Sequence, residues 1–206
     1  MPILNKKLNS VKSVRTYQLK PAGGFTLLEV IVSVAIFSLV ILVAYEIYSL
    51  GQNIYRRGGD EMEVWQNARA SLDRLTREVR QTESLATALP DVNDDPDNPP
   101  ANELRFQDGH DTSSITYLRY YLNGANLQWQ RIAYYFSVQP EVYVTYNSQD
   151  QFGNPPEQII LEERVIGEYF SDLDFWRTNN LINIIIHLTK NGREVNLMTA
   201  VYGRNL

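Results

Sequence analysis

Cysteine is absent from the 206 residues, and histidine occurs only twice. Without cysteine the chain can build neither a disulfide framework nor a thiolate metal site. His110 lies in the polar turn Asp108-Gly109-His110-Asp111, and His187 on the mixed face of an alternating segment. Neither stands at a metal-ligand spacing, and no nucleophile elbow or phosphate-binding loop accompanies them. A Ser-His-Asp set has nothing else to support it, so the chain reads as non-enzymatic, with no catalytic residue and no cofactor. No internal repeat is visible.

Charge is also scarce where it matters. From Phe25 to Tyr45, 21 residues hold a single charged side chain, Glu29, and apart from Thr26, Ser33 and Ser38 the others are apolar. As a helix this run is about 31 Å long, enough to cross the hydrocarbon core of a bilayer. A lone segment in lipid satisfies its backbone only as a helix. Residues 1–24 carry Lys6, Lys7, Lys12, Arg15 and Lys20 and no acid, which places the N-terminus on the cytoplasmic side. In a secretory signal the small-residue cleavage site follows the apolar core. Here the small residues Ala22-Gly23-Gly24 precede it, so cleavage would remove the basic leader and leave the helix on the mature chain.

A carboxylate within lipid is unfavourable by a few kcal/mol and calls for a partner. After cleavage the nearest cation is the α-amine of Phe25. The helix points that amine away from its own Glu29, whereas a neighbouring helix shifted along its axis could present one. Such a pair would set helix register, a well-attested use of buried charge. The alternative is an ordinary signal anchor with a tolerated Glu near the interface.

The run Gly24-Phe25-Thr26-Leu27-Leu28-Glu29 resembles the processing motif of type IV prepilins and type II secretion pseudopilins. The resemblance implies cleavage between Gly24 and Phe25 by a prepilin peptidase, N-methylation of the new Phe25 amine, and assembly through Glu29 into a filament cored by these helices. It implies a single-pass protein of the bacterial inner membrane with an extracytoplasmic domain, and other pilins or pseudopilins as partners. Ser71-Leu72-Asp73-Arg74-Leu75-Thr76-Arg77-Glu78-Val79-Arg80-Gln81 resembles the helix end of J-type minor pseudopilins and PilW-like minor pilins. The final Tyr202-Gly203-Arg204-Asn205-Leu206 resembles the short Arg-Asn ending of many such subunits. Glu29 sets the chain apart from the K-type tip pseudopilin. The lack of cysteine sets it apart from the many major pilins with a disulfide loop.

Removing five basic residues and no acid from a chain of net charge −5 leaves the mature form at −10. That balance argues against nucleic acid as a partner, although a local basic patch would still serve a DNA-uptake subunit. Subtracting leader and span leaves about 150 residues, enough for one domain with its own core.

The chain divides into a leader over 1–24, a membrane and filament-core helix over 25–57, and a globular domain over 58–206. Tyr45, Tyr48 and Tyr55 suit the membrane–water boundary. Gly58-Gly59 reads as a joint or bend, with an uninterrupted helix as the alternative. Within the domain an amphipathic helix is expected over 60–89, with Met62, Trp65, Ala68, Leu72, Leu75, Val79, Thr82, Ala86 and Leu89 as its stripe. Its charged faces hold Arg69, Asp73, Arg74, Arg77, Glu78 and Arg80, with Asp73 and Arg77 spaced to pair.

Residues 90–102 form an acidic, proline-rich loop. Asp91, Asn93, Asp95 and Asp97 sit at alternate positions like calcium ligands, but Pro96 stands where an EF-hand needs glycine and Asn102 where it needs glutamate. A solvated loop is the preferred reading and calcium the alternative. Strands are expected over 115–122, 127–138, 141–146, 159–166, 173–177, 181–189 and 194–201, with hairpins at Asn123-Gly124-Ala125-Asn126 and Asn191-Gly192. The class is α+β, a long helix on a C-terminal antiparallel sheet. The aromatic-rich stretch holding Trp129, Tyr134 and Tyr135 offers an outer binding face for a neighbouring subunit, a secreted substrate or a sugar, against ordinary cross-strand packing.

Three readings follow. The first is a minor subunit of a secretion pseudopilus or type IV pilus, in a tip or priming complex. The second is an adhesin or DNA-uptake pilin, and the third a single-pass anchored protein that never assembles.

Overall fold

A computed structural model describes residues 23–110 and 113–203. Two compact units divide the chain, one up to Gly51 and one from Gln52 onward. The leader assigned to residues 1–24 lies outside the described residues up to residue 22, as does the Arg204-Asn205-Leu206 ending.

One α-helix, α1, spans Leu27–Arg80. In the first unit its apolar side chains are exposed, Phe37 by 65% and Leu39 by 63%. Soluble proteins do not expose apolar surface on that scale, and the helix is long and apolar enough to cross a membrane.

The helix continues through Gly58-Gly59 without interruption, the alternative to the joint or bend expected there. Two glycines weaken a helix by about 1 kcal/mol each, which tertiary contacts readily offset. Such contacts begin one residue later. The Lys190 ammonium donates to Glu63 Oε2 at 2.5 Å and lies 3.6 Å from Asp60 Oδ1, and Asn191 Nδ2 donates to Asp60 Oδ2 at 3.0 Å.

The helix also ends earlier than its stripe suggests, at Arg80 rather than 89. The Thr82 hydroxyl donates to the carbonyls of Ser84 and Gln107, the kind of side-chain bond that competes with helix. Beyond it the chain lies along β1 (Glu103–Gln107), with Ala86 N–H on Arg105 C=O at 2.8 Å and Gln107 N–H on Ser84 C=O at 2.8 Å. That covers an edge which would otherwise present unpaired backbone groups.

Seven further strands follow: β2 (Tyr117–Asn123), β3 (Asn126–Phe136), β4 (Gln139–Val144), β5 (Glu157–Glu168), β6 (Phe170–Thr178), β7 (Leu181–Lys190) and β8 (Arg193–Tyr202). The antiparallel pairing is as expected, but the strands form two sheets rather than one. β1-β2-β3-β4, with β5 also on β3, make the first, and β6-β7-β8 the second. Asn191 and Gly192 both have positive φ, 49° and 75°, as the two-residue I′ turn requires.

Val64, Ala68, Leu75 and Val79 of α1 share one core with Leu104, Phe106, Leu118, Tyr120, Leu127 and Trp129 of the first sheet and Phe175, Ile182, Ile184 and Ile186 of the second. The buried line runs through Val64, Ala68, Ser71, Leu75 and Val79, rotated from the predicted stripe. Met62 is 64% exposed. A Cβ on Gly167 would sit 2.4 Å from Ser71 Oγ, so the helix presents a small residue where β5 comes close, while Trp65 and Leu72 of the expected stripe pack partly buried against the core.

Candidate functional site

The helix start is the first site. Thr26 is its N-cap: the Glu29 N–H donates to Thr26 Oγ1 at 3.3 Å, while the Thr26 N–H and hydroxyl donate to Glu29 Oε2 at 2.9 and 3.0 Å. This is a reciprocal capping box, which satisfies backbone donors that a helix start leaves open. The sequence signal is the Thr-x-x-Glu spacing, inconspicuous because the residues around it are apolar. Thr26 is therefore a site residue that motif reading alone passes over. Gly24 and Phe25 precede the helix outside any regular element, and Phe25 is 88% exposed. A bond there is open to a peptidase, and cutting it leaves the Thr26 amide and the box intact.

The aromatic stretch is organised differently from the outer face expected of it. Trp129 is 7% exposed and Tyr134 6%. Trp129 faces the helix, where its Nε1–H donates to Glu78 Oε2 at 2.9 Å and Arg74 stacks 4.8 Å over its ring. The buried Tyr120 hydroxyl donates to the same oxygen. Burial and the Glu78 charge push the Tyr120 phenol well above its ordinary range, so it remains a donor. Glu78, expected on a charged face of the helix, is half-buried and also pairs with Arg74 at 3.1 Å. Tyr134 lies on the other face, accepting from Arg105 Nη1 at 2.8 Å and donating to Gln158 at 3.3 Å. Tyr135 is half-buried and donates to Glu157 Oε2 at 3.0 Å. Trp129 and Tyr134 thus act in packing, and burial removes them from any exposed face.

That other face of the first sheet carries a polar ladder. Arg105 and Arg119 stand opposite each other in register, and Glu103 separates their charges, at 2.7 Å from Arg105 and 2.5 Å from Arg119. Burial raises the Glu103 carboxyl, but hydrogen bonds from Arg119 and Arg105 outweigh it and hold the group below its ordinary value.

The calcium candidates lie in the loop, where Asp95 Oδ1 accepts the Asp97 N–H at 2.9 Å, an Asx turn. Among the described residues no group of three or more His, Asp or Glu side chains is gathered to hold a metal ion. His110 Nδ1 lies 2.6 Å from Asp108 Oδ1, and His187 Nδ1 2.9 Å from Asn196 Oδ1.

The family model of the prokaryotic N-terminal methylation motif matches residues 19–45. The matched span ends with the apolar run and contains the capping box. It supports a type IV pilin-like protein, processed by prepilin peptidase and anchored by its N-terminal helix. No curated protein matches the chain.

Proposed function

We propose that the chain is a non-catalytic minor pilin or pseudopilin, cut between Gly24 and Phe25, methylated on the Phe25 amine, and assembled through Glu29 into a secretion pseudopilus or type IV pilus. The observation that carries the reading is the methylation-motif match over 19–45, joined to a helix whose apolar side chains in the first unit are exposed. In lipid those side chains are solvated, and in a filament neighbouring helices would cover them. The domain would remain on the extracytoplasmic side of the inner membrane until assembly.

Glu29 has two uses in this account. Within its own chain it caps the helix through Thr26. Between chains, a neighbour's Phe25 amine compensates its charge and sets the stagger. Glu29→Gln keeps a side-chain oxygen for the cap but loses the charge. The variant should stay in the membrane and be lost from sheared filaments. Thr26→Ala, which weakens the cap and keeps the charge, should assemble. Glu29→Gln filaments at the wild-type level would overturn the assembly role and favour a plain anchor.

The position in a tip or priming complex rests on the J-type and PilW-like resemblance of residues 71–81. Crosslinking of the full chain to its filament neighbours, followed by identification of the partners, tests that placement.

A further inference from the structure

A cleft of about 570 Å³ opens between the β3–β4 turn and the loop before β5, far in sequence from the membrane helix. Its apolar wall is displayed rather than packed. Val138 at the turn is 90% exposed and Phe152 on the loop 79%, with Phe136 and Pro155 beside them. The loop is held in shape by Asp150, whose Oδ1 accepts the N–H groups of Phe152 and Asn154 at 2.8 Å each and whose Oδ2 accepts from Asn154 Nδ2 at 2.9 Å. Phe152 is therefore presented outward by a fixed turn.

The polar side of the cleft is of one sign. Asp150 and Glu157 line it, and among the described residues no Lys, Arg or His does. Glu157 accepts from the Tyr135 and Ser137 hydroxyls. Hydrogen bonds from Asn154 hold Asp150 below its ordinary range, and those from Ser137 and Tyr135 do the same for Glu157, so both are ionised at neutral pH. All these donors are neutral. They use the acceptor capacity of the carboxylates without cancelling their charge. A ligand that offers only hydroxyls gains little there, a phosphate is repelled, and a cation gains most.

We propose that this cleft receives an arginine side chain from an apolar-flanked segment of another protein. The guanidinium would lie against the Phe152 ring and face the two carboxylates, and the flanking residues would cover Val138 and Pro155. Arginine suits the site better than lysine because its planar, weakly hydrated head stacks on an aromatic face. The inference does not depend on the filament reading, since an anchored protein that never assembled would carry the same cleft.

The test uses the full-length chain in detergent micelles and two fluorescent hexapeptides, one with a central arginine between leucines and one with citrulline in its place. The arginine peptide should bind about tenfold tighter than its neutral twin, the scale of a partly exposed cation–π contact with charge pairing. Glu157→Gln should shrink that preference, and Phe152→Ser should weaken both peptides. The twins are compared on the same protein, so misfolding cannot mimic the preference. Equal binding of the twins, an unchanged preference in Glu157→Gln, or no arginine-peptide binding up to millimolar concentration would each overturn the proposal. A neutral glucan oligomer that displaces both peptides would assign the cleft to a sugar and overturn it as well.

Discussion

Glu78 ties α1 to two strands at once, through Tyr120 of β2 and Trp129 of β3. A mostly covered carboxylate needs its donors, and losing one leaves it under-satisfied. Tyr120→Phe should therefore cost about 1–3 kcal/mol of domain stability by urea unfolding, more than the same exchange at an exposed tyrosine. An unchanged midpoint would mean that Arg74 and Trp129 suffice. Glu103 gives a pH signature. Its carboxyl is held below the ordinary 4.5, so the folded state favours the ionised form. That contribution is fully present above pH 4.5 and is lost as pH falls through the depressed value. Glu103→Gln should flatten the acid limb of a melting-temperature profile, and an acid limb as steep as that of the wild type would contradict the role given to the ladder.

At the scale of elements, the closest approach decides how α1 lies on the strands. Gly167→Ala would place a methyl 2.4 Å from Ser71 Oγ and 2.6 Å from the Phe170 ring, so α1 or β5 must shift. A loss of about 1–3 kcal/mol is expected, as for overpacking. Leu75→Ala, in the middle of the buried line, should cost about 2–5 kcal/mol. Both are read by denaturant unfolding of the full chain in detergent, and a neutral Gly167→Ala would contradict the tight contact. The same contact explains what the sequence could and could not reveal. Alternation in Leu181–Thr189 and the Asn191-Gly192 turn are local signals, and both elements appear where the pattern puts them. The place of Ser71 on the buried line is not a local signal, because the glycine it packs against stands 96 positions away. Nor could periodicity show that Thr82 would exchange helix for the edge of β1, since its partner carbonyl belongs to Gln107.

For the whole molecule, the N-terminal motif was legible because every part of it is contiguous: basic stretch, glycine, Phe25, Glu29 and apolar run. The cleft was not, because it forms only when a β-turn at 137–138 meets a loop at 150–155. The aromatic stretch was misleading for the same reason. Composition gives the number of rings, but only strand register decides that Trp129 faces the helix while Tyr134 is sealed on the other side. Whether the chain is cut between Gly24 and Phe25 is decided by its intact mass. The protein should be measured from cells with and without prepilin peptidase. A chain beginning at Phe25 and about 14 Da heavier than its sequence, from one methyl group, is expected only where the peptidase is present. A full-length, unmodified chain in both strains would contradict it and leave residues 25–45 a plain membrane anchor.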